Sequence, residues 1–340
     1  SRAGSFKNLG AAKIENAKAQ YKRCYFIDWI MPNKHKQQLL SKIDFIVDGQ
    51  QTTFYPFTTG EVFRETLKHL SNNSFRARPW FEPGVWGGQW IKKNIPSLAQ
   101  DVPNYAWSFE LITPENGLLF EDNGLMLEVS FDWLMFAQAE NILGNAFKKF
   151  NTYFPIRFDF LDTMDGDNLS IQCHPSLNYI QENFGEIITQ DETYYILDCE
   201  PDAKVYLGFQ ENIQQEEFKN ALIQSQKTST KLPIENYVQK HDAKKHDLFL
   251  VPNQTIHGSG KNNMVLEISN TPYIFTFKLY DWARLDLDGN PRPINIEHGF
   301  KNLDFSRKGK EVKEKLISKP VLLEEGNNFS HWHLPTHPQH

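Results

Sequence analysis

Between Tyr105 and Trp282 the chain is a succession of short β-branched and aromatic runs separated by turn residues, and this texture restricts the fold more than any other feature. WSFELI (107–112), LMLEVSF (125–131), IRFDFLDT (156–163), LSIQCH (169–174), TYYILD (193–198), KVYLGF (204–209), LFLVP (248–252) and MVLEIS (264–269) are each of strand length. Their spacing predicts an all-β sandwich or barrel. Two stretches at helical spacing, 137–150 and 215–226, interrupt the strands. Upstream, Leu39, Leu40, Ile43 and Ile46 recur helically ahead of a glycine turn, so a short helix and then a strand are expected there. Residues 13–23 read as a basic helix-like segment, 63–70 as an amphipathic helix, and 73–90 as a structured loop rich in Pro, Gly and aromatic residues.

A chain of 340 residues that is 40% hydrophobic can bury one large core or two modest ones. Its 36 basic and 42 acidic residues nearly balance, leaving no field to recruit nucleic acid or an anionic membrane. A small-molecule partner is expected instead. Cys24, Cys173 and Cys199 are odd in number and irregular in spacing, which predicts reduced thiols in a cytoplasmic protein. Neither an apolar span of membrane length nor a signal-peptide pattern is evident. The ending SHWHLPTHPQH carries four histidines without a helix cap, and the natural chain is expected to continue past it.

Chemistry concentrates in three of the apolar runs. Gln172 and His174 lie two apart, so on a strand they share a face while Cys173 points the other way. Glu192 opens the next run and His257 follows a third. One amide oxygen, two imidazoles and a carboxylate suit zinc, with iron, manganese or cobalt also able to bind, and leave a position open for substrate. The competing reading, in which each histidine is a satisfied residue near a turn, stays open from spacing alone. The GSGK string is no phosphate loop, because Thr255 and Asn262 break both ends of the required pattern. His331 and His333 read as part of a plain strand.

The strings WGGQW, SIQCHPS, DETYYILD, VYLGF, VPNQTIHGSGK, VLEIS and YDWARLDLDG, in that order from about Trp86 to Phe305, closely resemble the successive blocks of class I mannose-6-phosphate isomerases (phosphomannose isomerases). The resemblance implies a mainly β, cupin-type jelly-roll barrel with inserted helices and one zinc ion per chain on Gln172, His174, Glu192 and His257. It implies a cytoplasmic aldose–ketose isomerase acting on a sugar phosphate. Glu267 falls where relatives move the proton, Arg284 where an arginine steadies an oxyanion or phosphate, and Lys278, Lys261 and Trp86 where substrate is held. Two departures stand out: Leu177 and Gln190 occupy positions where many members have lysine. The implied domains are a mixed α/β N-terminal extension over 1–75, as in longer bacterial members, a catalytic cupin domain over 76–325, and the start of a truncated C-terminal cupin half over 326–340. Two alternatives remain, a sugar-binding or regulatory cupin without turnover and an iron-dependent cupin oxygenase. Oligomeric state is not predicted.

Overall fold

The computed structural model describes residues 30–49, 53–287, 289 and 291–337; the segment expected over 13–23 and Cys24 lie outside the described residues. Its contacts divide the chain into two compact units, Ser1–Trp80 with Glu110–Pro155, and Phe81–Phe109 with Ile156–His340. The units therefore do not follow chain order as the expected boundaries do.

In the first unit, the helix Ile30–Leu39 and a single 3-10 turn lead to the strand Phe45–Val47, which pairs with Phe57–Thr59. Thr59 then caps the helix Gly60–Ser71 by accepting the amide of Val62 at 3.3 Å. That helix buries Phe63 and Leu67 against Leu118 and Leu127 of the hairpin 117–130, Met135 of the helix Asp132–Leu143, and Phe131 between the two. The helix expected over 137–150 thus begins earlier and breaks at Gly144. Its start is hidden in the sequence because Trp133, Leu134, Met135 and Phe136 form an unbroken apolar run with no 3.6-residue period.

The second unit is the expected β architecture. Its strands are β1 (Trp80–Glu82), β2 (Trp107–Leu111), β3 (Arg157–Asp162), β4 (Ile171–Cys173), β5 (Asp191–Cys199), β6 (Lys204–Phe209), β7 (Val238–Asp242), β8 (Leu248–Val251), β9 (His257–Ser259), β10 (Asn263–Asn270) and β11 (Phe277–Tyr280). They form a six-stranded sheet in the order β8-β5-β10-β3-β2-β1 and a five-stranded sheet in the order β7-β6-β9-β4-β11. One core joins Leu161, Ile196 and Val265 of the first sheet to Leu169, Val205 and Leu207 on the side of the second. The helix Gln215–Thr228 covers the outer side of the five-stranded sheet through Phe218 and Leu222. With both faces buried, β6 needs no polar alternation, which accounts for the continuous run VYLGF.

On the six-stranded sheet the period-2 alternation sorts side chains into rows across β5, β10 and β3. Ile196, Val265 and Leu161 make an apolar row; Tyr194, Glu267 and Asp159 make the next; Glu192, Ser269 and Arg157 make the third. The interior is therefore apolar at one end and ionisable at the other. His331 and His333 lie, as expected, on a strand, Ser330–His333, paired with Val321–Glu325. Among the described residues no helix is long and apolar enough to cross a membrane.

The Trp86-Gly87-Gly88 block is a packing device. Trp86 is buried with its ring edge-on to Trp107 at 4.5 Å. A Cβ on Gly87 would stand 2.1 Å from Oδ1 of Asn104, and one on Gly88 2.1 Å from Oδ1 of Asp162. The Asp162 carboxylate accepts the amides of Ile91 at 2.7 Å and Met164 at 3.0 Å, while burial pushes its pKa up to about 6. Gly88→Ala is expected to lower unfolding free energy by about 1–3 kcal/mol in denaturant titration. Asp162 has a folded pKa above its ordinary value of 3.8, so its contribution to stability is greatest at low pH and falls as pH rises through about 6. Asp162→Asn should flatten that slope in unfolding curves measured across this range.

Candidate metal centre

Three ionisable side chains meet in the interior between the two sheets. Glu192 projects from β5, His257 opens β9, and His174 directly follows β4, where Gln172 pairs in register with His257. His174, Glu192 and His257 are at most 1% exposed, and one ligand atom from each lies within 4.8 Å of the others. His174 Nε2 is 2.9 Å from Glu192 Oε2, and His257 Nε2 is 2.9 Å from Glu192 Oε1.

The far sides of both rings settle what those contacts are. His174 Nδ1 donates to the carbonyl of Phe275 at 2.9 Å, and His257 Nδ1 to the carbonyl of Thr255 at 2.9 Å. A carbonyl can only accept, so each Nδ1 carries a proton and each Nε2 is the ring atom turned to the carboxylate. Both Nε2 atoms and both oxygens of Glu192 thus converge on one buried point, where a cation would replace the direct contacts. Burial alone would raise the carboxyl of Glu192, but the adjoining histidines hold it well below the usual range. Nitrogen, nitrogen and oxygen donors oriented through their outer atoms are a donor set for a borderline divalent ion.

Gln172, the fourth expected ligand, stands beside this group with its Nε2 3.4 Å from His257 Nε2 and its Oε1 accepting from Ser170 at 3.2 Å. A half-turn of the amide presents Oε1 to the same point. Lys278 is the register partner of Gln172 on β11, so it shares the row of Gln172 and His257.

Glu267 lies in the polar rows of the other sheet. It accepts from Ser269 at 3.0 Å and is 3.4 Å from Nη1 of the buried Arg157. Burial, then the negative charges of Asp159 and Glu192, push its carboxyl well above the ordinary range despite Arg157. Tyr194, buried beside it, is pushed up by burial and by the charges of Glu192 and Glu267. Arg284 leaves β11 after Trp282 and Ala283, whose φ of 58° and 54° are left-handed, and donates to Asp281 at 2.5 Å and Asp167 at 3.3 Å. Lys261 is on the exposed turn between β9 and β10, paired with Asp202 at 3.3 Å. Trp86 is in the core described above. The structure thus brings His174, Glu192, His257, Gln172 and the row partner Lys278 together, sets Glu267 in the neighbouring buried cluster, and leaves Lys261 on the surface.

Leu177 is exposed at the start of the helix Leu177–Phe184, whereas Gln190 is buried and donates to Glu192 at 2.9 Å. Sequence reasoning read Gln190 only as a lost lysine and passed over Arg157 and Asp159. Charges two apart in RFDFLD, among strand residues that should face a core, were the available signal.

Residues 1–72 match the family described as "Domain of unknown function (DUF8485)". Among curated proteins, the mannose-6-phosphate isomerase of Streptococcus mutans is 27% identical over 227 residues, 66% of this chain and 65% of that protein. This chain therefore spans just under two thirds of that relative's length. The crystal structure of the mannose 6-phosphate isomerase of Bacillus subtilis is similar with a TM-score of 0.54 at 18% identity, covering 76% of this chain and 79% of that one. A zinc-bound mannose 6-phosphate isomerase structure is similar with a TM-score of 0.51 at 14% identity, covering 74% and 78%. In sequence over about two thirds of its length, and in fold, this chain is similar to mannose-6-phosphate isomerases.

Proposed function

We propose that the chain is a zinc-dependent aldose–ketose isomerase that interconverts mannose 6-phosphate and fructose 6-phosphate in the cytoplasm. The observation that carries this reading is the buried convergence of two imidazole Nε2 atoms on one carboxylate, in a fold whose relatives are named mannose-6-phosphate isomerase. His174, Glu192 and His257 hold the ion, with Gln172 as fourth ligand through Oε1. Iron, manganese and cobalt suit the same donors, and the zinc-bound relative favours zinc. When bound, zinc supplies a positive charge that stabilises negative charge developing on the substrate's O1 and O2.

The remaining work falls to the protein. Isomerisation moves a proton from C2 to C1 through an enediolate, while a hydroxyl proton passes between O2 and O1, so no redox partner is needed. Glu267 is the group assigned to carry the carbon-bound proton, because its raised carboxyl lies nearer the pH at which one group can both take and return a proton. Arg284, on its left-handed turn, steadies the oxyanion with a rigid fork of donors. Lys278 binds the phosphate as a point charge from the row of Gln172 and His257; Lys261, exposed and paired with Asp202, is the weaker candidate. Trp86 contributes by packing. The free thiols of Cys173 and Cys199 fit a reducing compartment.

The decisive test strips the purified chain of metal, reloads it with zinc and follows fructose 6-phosphate formation in a coupled assay. One zinc per chain and metal-dependent turnover are expected, and Glu192→Ala should lose both. Full turnover after metal removal overturns the proposal. Zinc binding with sugar binding and no turnover selects the regulatory cupin instead, and oxygen uptake with ferrous iron selects the oxygenase.

Glu267→Gln is expected to lower kcat by about 10²–10⁴-fold with zinc content unchanged. As a base Glu267 must be deprotonated, so kcat should fall as pH drops through its raised pKa. That acid limb should disappear in the variant.

A further inference from the structure

Within the metal reading proposed above, on which this inference rests, we propose that Gln190 is a positioning residue that fixes two of the ligands through one carboxamide. Gln190 is 1% exposed and enters β5 two residues ahead of Glu192, on the same side of the chain. Its hydrogen-bonding capacity is used in both directions. Oε1 accepts the amide of Phe275 at 2.8 Å, and Nε2 donates to Glu192 Oε2 at 2.9 Å and lies 3.4 Å from Ser269 Oγ.

Both contacts lead to the same side of the centre. Glu192 Oε2 is the oxygen that faces His174, and Phe275 is the residue whose carbonyl takes the His174 Nδ1 proton. The connections close a ring: Gln190 to Glu192, across the metal position to His174, through Phe275 and back to Gln190. Glu192 Oε1 faces His257 at 2.9 Å, so Gln190 steadies the carboxylate from the oxygen on the His174 side. A second link runs outward, since the Ser269 hydroxyl near the Gln190 amide donates to Glu267. The amide orients without adding charge, which leaves the full charge of Glu192 to the cation. Lysine at this place would instead bring a cation of its own to Glu192.

Two variants of the full chain test the role. Gln190→Met keeps the volume and removes every one of these bonds; Gln190→Asn keeps an amide one carbon too short to serve both partners. Zinc affinity is read by competition with a chromophoric chelator, coordination from the visible absorption of the cobalt-loaded protein, and folding from thermal unfolding of the metal-free protein. The expected result is a 10–100-fold loss of zinc affinity in Gln190→Met and a smaller loss in Gln190→Asn, each with a changed cobalt spectrum. Should Gln190→Met fail to fold, the same loss in Gln190→Asn carries the proposal. Zinc affinity within threefold of the unsubstituted chain, with an unchanged cobalt spectrum, overturns it, even where thermal stability falls. If the unsubstituted chain itself takes up no metal, the metal reading fails first and the positioning role falls with it.

Discussion

Two imidazole Nε2 atoms aimed at one buried carboxylate are the interaction on which the interior depends. His174 and His257 each bring Nε2 to 2.9 Å from an oxygen of Glu192, with all three side chains at most 1% exposed. A carboxylate removed from water costs free energy unless positive charge faces it. The sheet rows are ordered around this demand. Apolar residues at one end supply the packing that holds the strands in register, and the ionisable end is arranged to receive positive charge. Arg157, set against Asp159 at 2.9 Å and against Glu267, answers part of the same excess of negative charge.

Much of this was legible in the chain. Strand texture identifies the barrel because alternation and turn chemistry are local properties, and the spacing of Gln172 and His174 fixes a shared face whatever the tertiary fold. What spacing cannot supply is the partner across a sheet. His257 lies far along the chain from Gln172 yet pairs with it in register, which its place after a third apolar run did not reveal.

The illegible parts have equally physical causes. A buried glutamine in a sequence looks like any other, so Gln190 drew notice only as an absent lysine. The helix Asp132–Leu143 started unrecognised because a fully apolar run carries no period. The glycines of Trp86-Gly87-Gly88 are required by the side chains of Asn104 and Asp162, which no local rule could place there.

The outer nitrogens of both imidazoles bind main-chain carbonyls, those of Phe275 and Thr255, and not side chains. The tautomer on which the centre relies is thereby written into the backbone trace. Substitutions at positions 255 and 275 can alter packing around the centre and still leave each ring's proton where it is, provided the strand ends keep their path. The protonation pattern is thus insulated from sequence drift at those two sites, and its vulnerability shifts to whatever displaces the chain there, such as a proline or an insertion next to either carbonyl.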